Sequence, residues 1–109
     1  MKKAIHETDR KTIDKFEKII NIGPKLAEAF PIVGIRRPQQ LIGKDPVKLY
    51  KKLCLKQDEF YDPCVLDCFM SAVDFMNGNP PQTWWSYTEQ RKRDHSEDVD
   101  ALRKVVSRK

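Results

Sequence analysis

The sequence lacks the long apolar runs that mark membrane and exported proteins. Its longest apolar-rich stretch, residues 64–76, is too short to cross a bilayer and carries Asp67 and Asp74. The first residues are basic and lead at once into a charged segment, rather than into the apolar run of an export signal. We therefore expect a cytoplasmic protein that does not enter a membrane.

Cysteine is scarce, and catalytic motifs are not recognisable. Three cysteines, an odd number, favour a reducing compartment over a disulfide framework. Cys54, Cys64 and Cys68, taken with His6 or His95, lack the paired short spacing of structural zinc sites. Neither a P-loop nor a nucleophile with an adjacent base can be identified. We predict no enzyme activity, no metal and no cofactor.

What the sequence does contain is an uneven distribution of positive charge. The chain has 109 residues, of which 39% are hydrophobic and 34% charged, a composition typical of one folded domain. Its net charge is +5, and the sequence of residues 1–60 alone has a balance of +6 against −1 for residues 61–109. An anionic partner should therefore meet the N-terminal half.

Proline indicates where several helices begin. Proline is favoured at the first helical position, where its missing N–H costs nothing, and an aspartate just before it can cap the free amides. On this basis four helices are predicted, over residues 24–30, 38–42, 46–55 and 63–77. Pro31 should end or kink the first of these near Phe30, and Gly34 and Gly43 should form the turns that follow.

Apolar spacing adds a helix at each end of this set. Ile13, Phe16, Ile19 and Ile20 would share one face of a helix that stops at Asn21. The sequence over residues 96–107 repeats the pattern near the C terminus, as either a dimerisation helix or a partly docked tail.

The helix predicted over residues 63–77 is apolar over most of its circumference. Only Asp67, Ser71 and Asp74 interrupt it, as one narrow polar stripe. A helix of this kind belongs in the middle of a bundle. Since no β pattern of useful length is present, we predict an all-α fold, a compact bundle of about five helices.

A sharp interhelical turn is predicted around Gly23. Asn21 tolerates a left-handed backbone, Ile22 would plug the gap between two helices, and Ala27 would let them approach closely. The amides of Ile22, Gly23, Lys25 and Leu26 would then point outward at a helix start and bind a phosphate, with charge added by lysine and arginine side chains. The predicted nucleic-acid-binding residues are Asn21, Ile22, Gly23, Lys25, Leu26, Arg36, Arg37 and Lys44.

This turn resembles the hairpin of the helix-hairpin-helix motif, with Asn21 in place of its first glycine. The order of motifs over most of the chain also resembles the bacterial pathogenicity-locus family, many of whose members are labelled mitomycin-resistance proteins. The matching blocks are residues 21–25, Gly34-Ile35, Gln40-Leu41, residues 45–50, residues 62–67, and Trp84-Trp85 with Thr88 and Arg91-Lys92.

The resemblance implies a helix-hairpin-helix domain over residues 1–93 and a C-terminal helical extension over residues 94–109. Such domains often hold two copies of the motif, a tandem SAM-like arrangement, and residues 56–61 would be a degenerate second hairpin that repels phosphate. The implied function is non-enzymatic, sequence-independent DNA binding linked to the DNA damage response. A protein–protein interaction adaptor built on the same fold is the alternative, and the sequence leaves the oligomeric state open.

Two further clusters allow two interpretations each. Cys64 and Cys68, one helical turn apart, are either a redox or ligand pair or, as we favour, buried apolar side chains. Trp84 and Trp85 either stack on nucleic-acid bases or, as we favour, form an apolar lid on the bundle.

Overall fold

The regular structure of residues 12–106, the part of the chain that this computed structural model describes, is entirely helical. Five α-helices form it, together with 3-10 turns at Phe16–Lys18, Pro38–Leu41 and Trp84–Tyr87. The helices are α1 (Pro24–Ala27), α2 (Ala29–Ile32), α3 (Pro46–Gln57), α4 (Pro63–Met76) and α5 (Thr88–Val106). The predicted all-α class is confirmed, and none of these helices is both long and apolar enough to cross a membrane.

Aspartate caps fix the starts of the two central helices where the sequence predicts them. The Asp45 carboxylate accepts a hydrogen bond from the Val47 amide at 2.9 Å, and that of Asp62 accepts one from the Cys64 amide at 2.8 Å. A proline follows each cap at the first helical position. α3 ends later than predicted, at Gln57, because Asp58 adopts the left-handed conformation (φ 56°) that stops a helix.

α4 occupies the middle of the bundle, as its nearly continuous apolar surface predicts. All but four of its fourteen residues are buried, including two of the three polar ones. Phe69 of α4 lies 5.3 Å from Phe30 of α2, and Phe30 stacks at 4.6 Å on Phe16 from the first 3-10 turn. This column of aromatic rings attaches the N-terminal segment to the core.

The helix predicted over residues 13–20 is wrong. Only Phe16–Lys18 forms a 3-10 turn, and Ile19 returns to an extended conformation (ψ 138°). An eight-residue helix is too short to be stable alone, β-branched residues weaken it, and Lys15 offers no side-chain cap. Packing determines the conformation of this segment instead, because the observed backbone path buries Ile13, Ile19 and Ile22.

The segment after Gly23 is broken, but not where the sequence places the break. The interruption falls at Glu28, and helix resumes as α2 as far as Ile32, two residues beyond the predicted kink near Phe30. Pro31 explains it, because it has no amide to donate to the Ala27 carbonyl in a continuous helix. The turns at Gly34 (φ 86°) and Gly43 (φ 78°) are confirmed.

α5 begins eight residues earlier than residue 96, where the sequence places its start. It follows directly from the 3-10 turn at Trp84–Tyr87 and buries Val99, Leu102 and Val106 against the bundle. The predicted division between residues 93 and 94 falls inside this continuous helix. Residues 1–11 and the predicted helix end at Ser107 lie outside the described residues.

Candidate nucleic-acid interface

The turn at residues 21–23 is built from one left-handed residue and one buried side chain. Asn21 adopts φ 69°, which reverses the chain after Ile19 and Ile20. Ile22 is buried, as the plug between the two segments should be. Gly23 is extended and exposed, and it caps α1 with no side chain in front of the helix start.

The Asn21 side chain serves the fold rather than the solvent. Its Nδ2 donates to the Ser71 Oγ at 2.8 Å and to the Gln82 carbonyl at 2.6 Å. Both amide hydrogens are thereby used within the protein, joining the turn to α4 and to the segment before Trp84. The Asn21 amide group is therefore engaged within the fold, and nucleic-acid contact by this residue stays a prediction.

Three of the four backbone amides predicted to bind phosphate are available. The Ile22 amide donates to the Ile19 carbonyl at 3.2 Å, so its assignment to phosphate binding is wrong. The amides of Gly23, Lys25 and Leu26 donate to no acceptor within residues 12–106. Gly23 and Lys25 are exposed and Leu26 is half-buried. What remains is a set of three backbone donors at the start of a four-residue helix that also carries the exposed Lys25.

Arg36 and Arg37 lie beyond the other end of this segment, on a stiffened turn. Both of their backbone amides donate to the Gln40 Oε1, at 2.6 Å and 3.1 Å. Both residues are exposed, and neither side chain forms an ion pair with an acid of the described range. They are separated from Lys25 along the chain by the interrupted α1–α2 segment and by the turn at Gly34.

Lys44 does not join Lys25 on one surface. Lys25 lines a groove with Val65 of α4, whereas Lys44 lines a different one with Asp74 of the same helix. Val65 and Asp74 are nine positions apart, which is two and a half turns, so the two lysines lie on opposite faces of α4. The eight predicted residues therefore do not form one contiguous site.

A basic residue that the sequence reasoning missed stands close to the arginines. The Nζ of Lys52, on α3, lies close to Gly34: a Cβ added to that glycine would be 3.7 Å from it. Gly34 comes two residues before Arg36. The signal was present in the sequence, as Lys48, Lys52 and Lys56 recur every four residues and so share one helix face. All three are exposed.

The groove beside Lys25 is mainly apolar and contains both cysteines of α4. It has a volume of about 400 Å³ between the α1–α2 segment and α4, with Leu26, Ile32 and Val65 among its walls. Burial, followed by the Asp62 carboxylate, raises the pKa of Cys64 to about 11. Burial also raises the pKa of Cys68 to about 12. Both thiols thus stay protonated near neutral pH, which favours the interpretation as apolar wall over a redox pair.

The two tryptophans differ in exposure. Trp84 is half-buried and packs against the core, which fits a lid, whereas Trp85 is 61% exposed and meets Trp84 edge-on at 5.7 Å between ring centroids. The lid interpretation therefore holds for the first ring, and the second remains open to solvent.

Comparison with known proteins identifies the family. A family model described as "Pathogenicity locus" matches residues 9–93. The chain belongs to this family. A curated relative from Streptomyces lavendulae, named mitomycin resistance protein McrB, is 43% identical over 75 residues, which cover 69% of this chain and 71% of that protein. No solved structure matches the chain.

Blocks that mark the pathogenicity-locus resemblance meet inside the bundle. Asp67 of α4 is fully buried, and its Oδ1 accepts from the Arg91 Nε at 2.6 Å while its Oδ2 accepts from the Thr88 hydroxyl at 2.8 Å. One turn further along α4, Ser71 accepts from Asn21. The polar stripe of α4 therefore binds α5 and the turn at Asn21 to the centre of the molecule.

Proposed function

We propose that this chain is a non-enzymatic module or accessory factor that binds DNA without regard to sequence, holding a backbone phosphate at the turn that precedes α1. The observation that carries the proposal is the set of amides of Gly23, Lys25 and Leu26, which have no acceptor within residues 12–106 and start a helix on which Lys25 is exposed. Backbone N–H groups and a lysine suit a phosphate and read no base edges, so the contact carries no sequence preference.

The proposal includes a tandem helix-hairpin-helix arrangement of the SAM-like kind. Support comes from the backbone, because the two left-handed residues other than glycine within residues 12–106 are Asn21 (φ 69°) and Asp58 (φ 56°). Each stands in the turn before a proline-led helix, α1 and α4 respectively. The second turn carries Asp58 and Glu59, whose charges repel phosphate, so it serves as scaffold.

Binding of a labelled duplex over a series of salt concentrations tests the proposal. Each phosphate contact adds about 0.9 to the slope of log affinity against log salt, so Lys25→Glu should lower the slope by roughly one and weaken binding about tenfold. Lys104→Glu is the matched control, since it makes the same charge change at an exposed position on α5. The proposal fails if the unmodified protein does not bind at low salt, or if the two variants behave alike.

A second candidate function, an adaptor for a partner protein, is favoured by the apolar groove beside Lys25. Its walls would accept an apolar segment of a partner, and Glu28 and Lys25 at the groove provide charges for orientation. Because the relative is named for mitomycin resistance, we expect the chain to protect cells against mitomycin.

The groove variant Ile32→Lys separates the two functions. Ile32 is a half-buried wall of the groove and is not one of the proposed phosphate contacts. Loss of mitomycin protection with DNA binding unchanged would favour the adaptor. Retained protection by this variant, together with loss in Lys25→Glu, would favour DNA binding.

A further inference from the structure

The solvent-facing side of α3 carries a row of lysines. Lys48, Lys52 and Lys56 are spaced by four residues and exposed, and none of them pairs with an acid of the described chain. Successive members of the row are about 6 Å apart along the axis, so the row is about 12 Å long. Lys51 differs, because its Nζ lies 2.9 Å from the Asp98 carboxylate of α5.

The row continues into the turn that carries the two arginines. Lys52 connects the row to this turn, because its ammonium lies next to Gly34, two residues before Arg36. The shared acceptor Gln40 holds the backbone of Arg36 and Arg37 in place. We call the surface formed by Arg36, Arg37, Lys48, Lys52 and Lys56 the α3 ridge.

Within residues 36–57, which carry the α3 ridge, the acid is Asp45, and Asp98 of α5 beside α3 is paired with Lys51. Asp45 caps the start of α3 through the Val47 amide. Glu59 lies beyond the end of α3, near Cys54 and Tyr61: burial first, and the Glu59 charge after it, raises the pKa values of these two side chains. The ridge therefore presents one sign of charge along its length, which favours an extended polyanion over a single small anion.

We infer that the α3 ridge is a second contact for the DNA backbone, distinct from the turn at Gly23 and resting on the proposed DNA-binding function. A duplex carries one negative charge per ~1.7 Å of its axis, so a ridge about 12 Å long faces several phosphates in any register. This supplies the affinity that one short helix start lacks, again without reading sequence. The ridge also explains the excess charge of the N-terminal half, since all five of its residues fall within residues 1–60.

The ridge is tested with two double variants of equal charge change. Lys48→Glu combined with Lys52→Glu removes two ridge cations, whereas Lys51→Glu combined with Lys104→Glu removes the cation paired with Asp98 and one on α5. The ridge variant should lower the salt slope of duplex binding by about two and weaken binding more than about tenfold at moderate salt. The control should change affinity less than about threefold, and thermal unfolding of both variants confirms that they are folded.

The outcomes separate the ridge from the turn. If Lys25→Glu weakens binding but the ridge variant matches its control, the ridge is refuted and the turn stands. If the ridge variant weakens binding and Lys25→Glu does not, the ridge stands and the proposed phosphate contact at Gly23 is refuted. If the unmodified chain shows no salt-dependent duplex binding, both are refuted.

Discussion

Position 21 requires two properties of its residue: a left-handed backbone conformation and a side chain that donates two hydrogen bonds. The backbone requirement alone would be met best by glycine, which adopts positive φ without strain. The side-chain requirement excludes glycine, because Nδ2 joins Ser71 and the Gln82 carbonyl. Asparagine is the residue that serves both, so its place in the turn follows from the fold and not from phosphate binding.

Replacement of Asn21 by glycine and by alanine separates these two contributions. Both variants lose the side-chain hydrogen bonds and should lower the free energy of unfolding by about 1 to 2 kcal/mol. Asn21→Ala must also hold φ near 69°, which costs roughly 1 kcal/mol more. Urea unfolding monitored by circular dichroism measures the difference, and equal stabilities would contradict this account of the turn.

The buried Asp67 should make Arg91 far more important to stability than its neighbours. Arg91→Ala would leave the buried carboxylate with the Thr88 hydroxyl as its one side-chain donor from residues 12–106, which should lower the free energy of unfolding by about 3 to 5 kcal/mol. Arg93→Ala is the control, because that side chain is 70% exposed and its ion pair within residues 12–106 is with its neighbour Asp94. The control should stay within about 0.5 kcal/mol of the unmodified protein. Similar losses in the two variants would show that the Asp67 pair does not stabilise the fold.

At the scale of elements, caps and periodicity predicted the central helices and failed at the N terminus. α3 and α4 have Asp-Pro starts and long apolar faces, so local signals and packing agree. Residues 13–20 have the apolar spacing of a helix but no cap and little length, and packing on Phe30 gives them another path. Local patterns cannot report such a contact, since Phe30 is distant in sequence.

The candidate phosphate site, like the helices, was predictable from the sequence only in part. The sequence predicts a turn at Gly23 followed by a proline-led helix, and Lys25 and Leu26 lie in the first turn of that helix. It could not show that the Ile22 amide is satisfied by Ile19, nor that Lys44 lies on the far face of α4. Both facts depend on how separate elements pack.

The C-terminal half of α5 behaves as part of the bundle, and one pair of substitutions tests this. Leu102 is 5% exposed and Val105 is 57% exposed, although they are three residues apart on the same helix. Leu102→Ala should lower the free energy of unfolding by about 2 kcal/mol or more, whereas Val105→Ala should change it by less than about 0.5 kcal/mol. Differential scanning calorimetry gives both values. Two small effects would mean that this part of α5 is not docked in solution.

At the scale of the whole molecule, the polar stripe of α4 faces other elements of the bundle, and the unpaired cations discussed above face the solvent. Asp67, Ser71 and Asp74 of α4 all form hydrogen bonds with other elements. Lys25 and the α3 ridge remain open to solvent on the outside. The distribution suits a rigid body that presents charge to a polyanion, because binding then requires little reordering of the protein.

Amide chemical shifts during titration with a short DNA duplex test the central claim most directly. The amides of Gly23, Lys25 and Leu26 should move downfield as they take a phosphate oxygen, and the shifts should reverse at high salt. Gly43 is the internal control, because its amide already donates to the Asn77 side chain at 2.9 Å and should stay in place. Unchanged shifts at Gly23, Lys25 and Leu26, with the duplex bound elsewhere or not at all, would contradict the account.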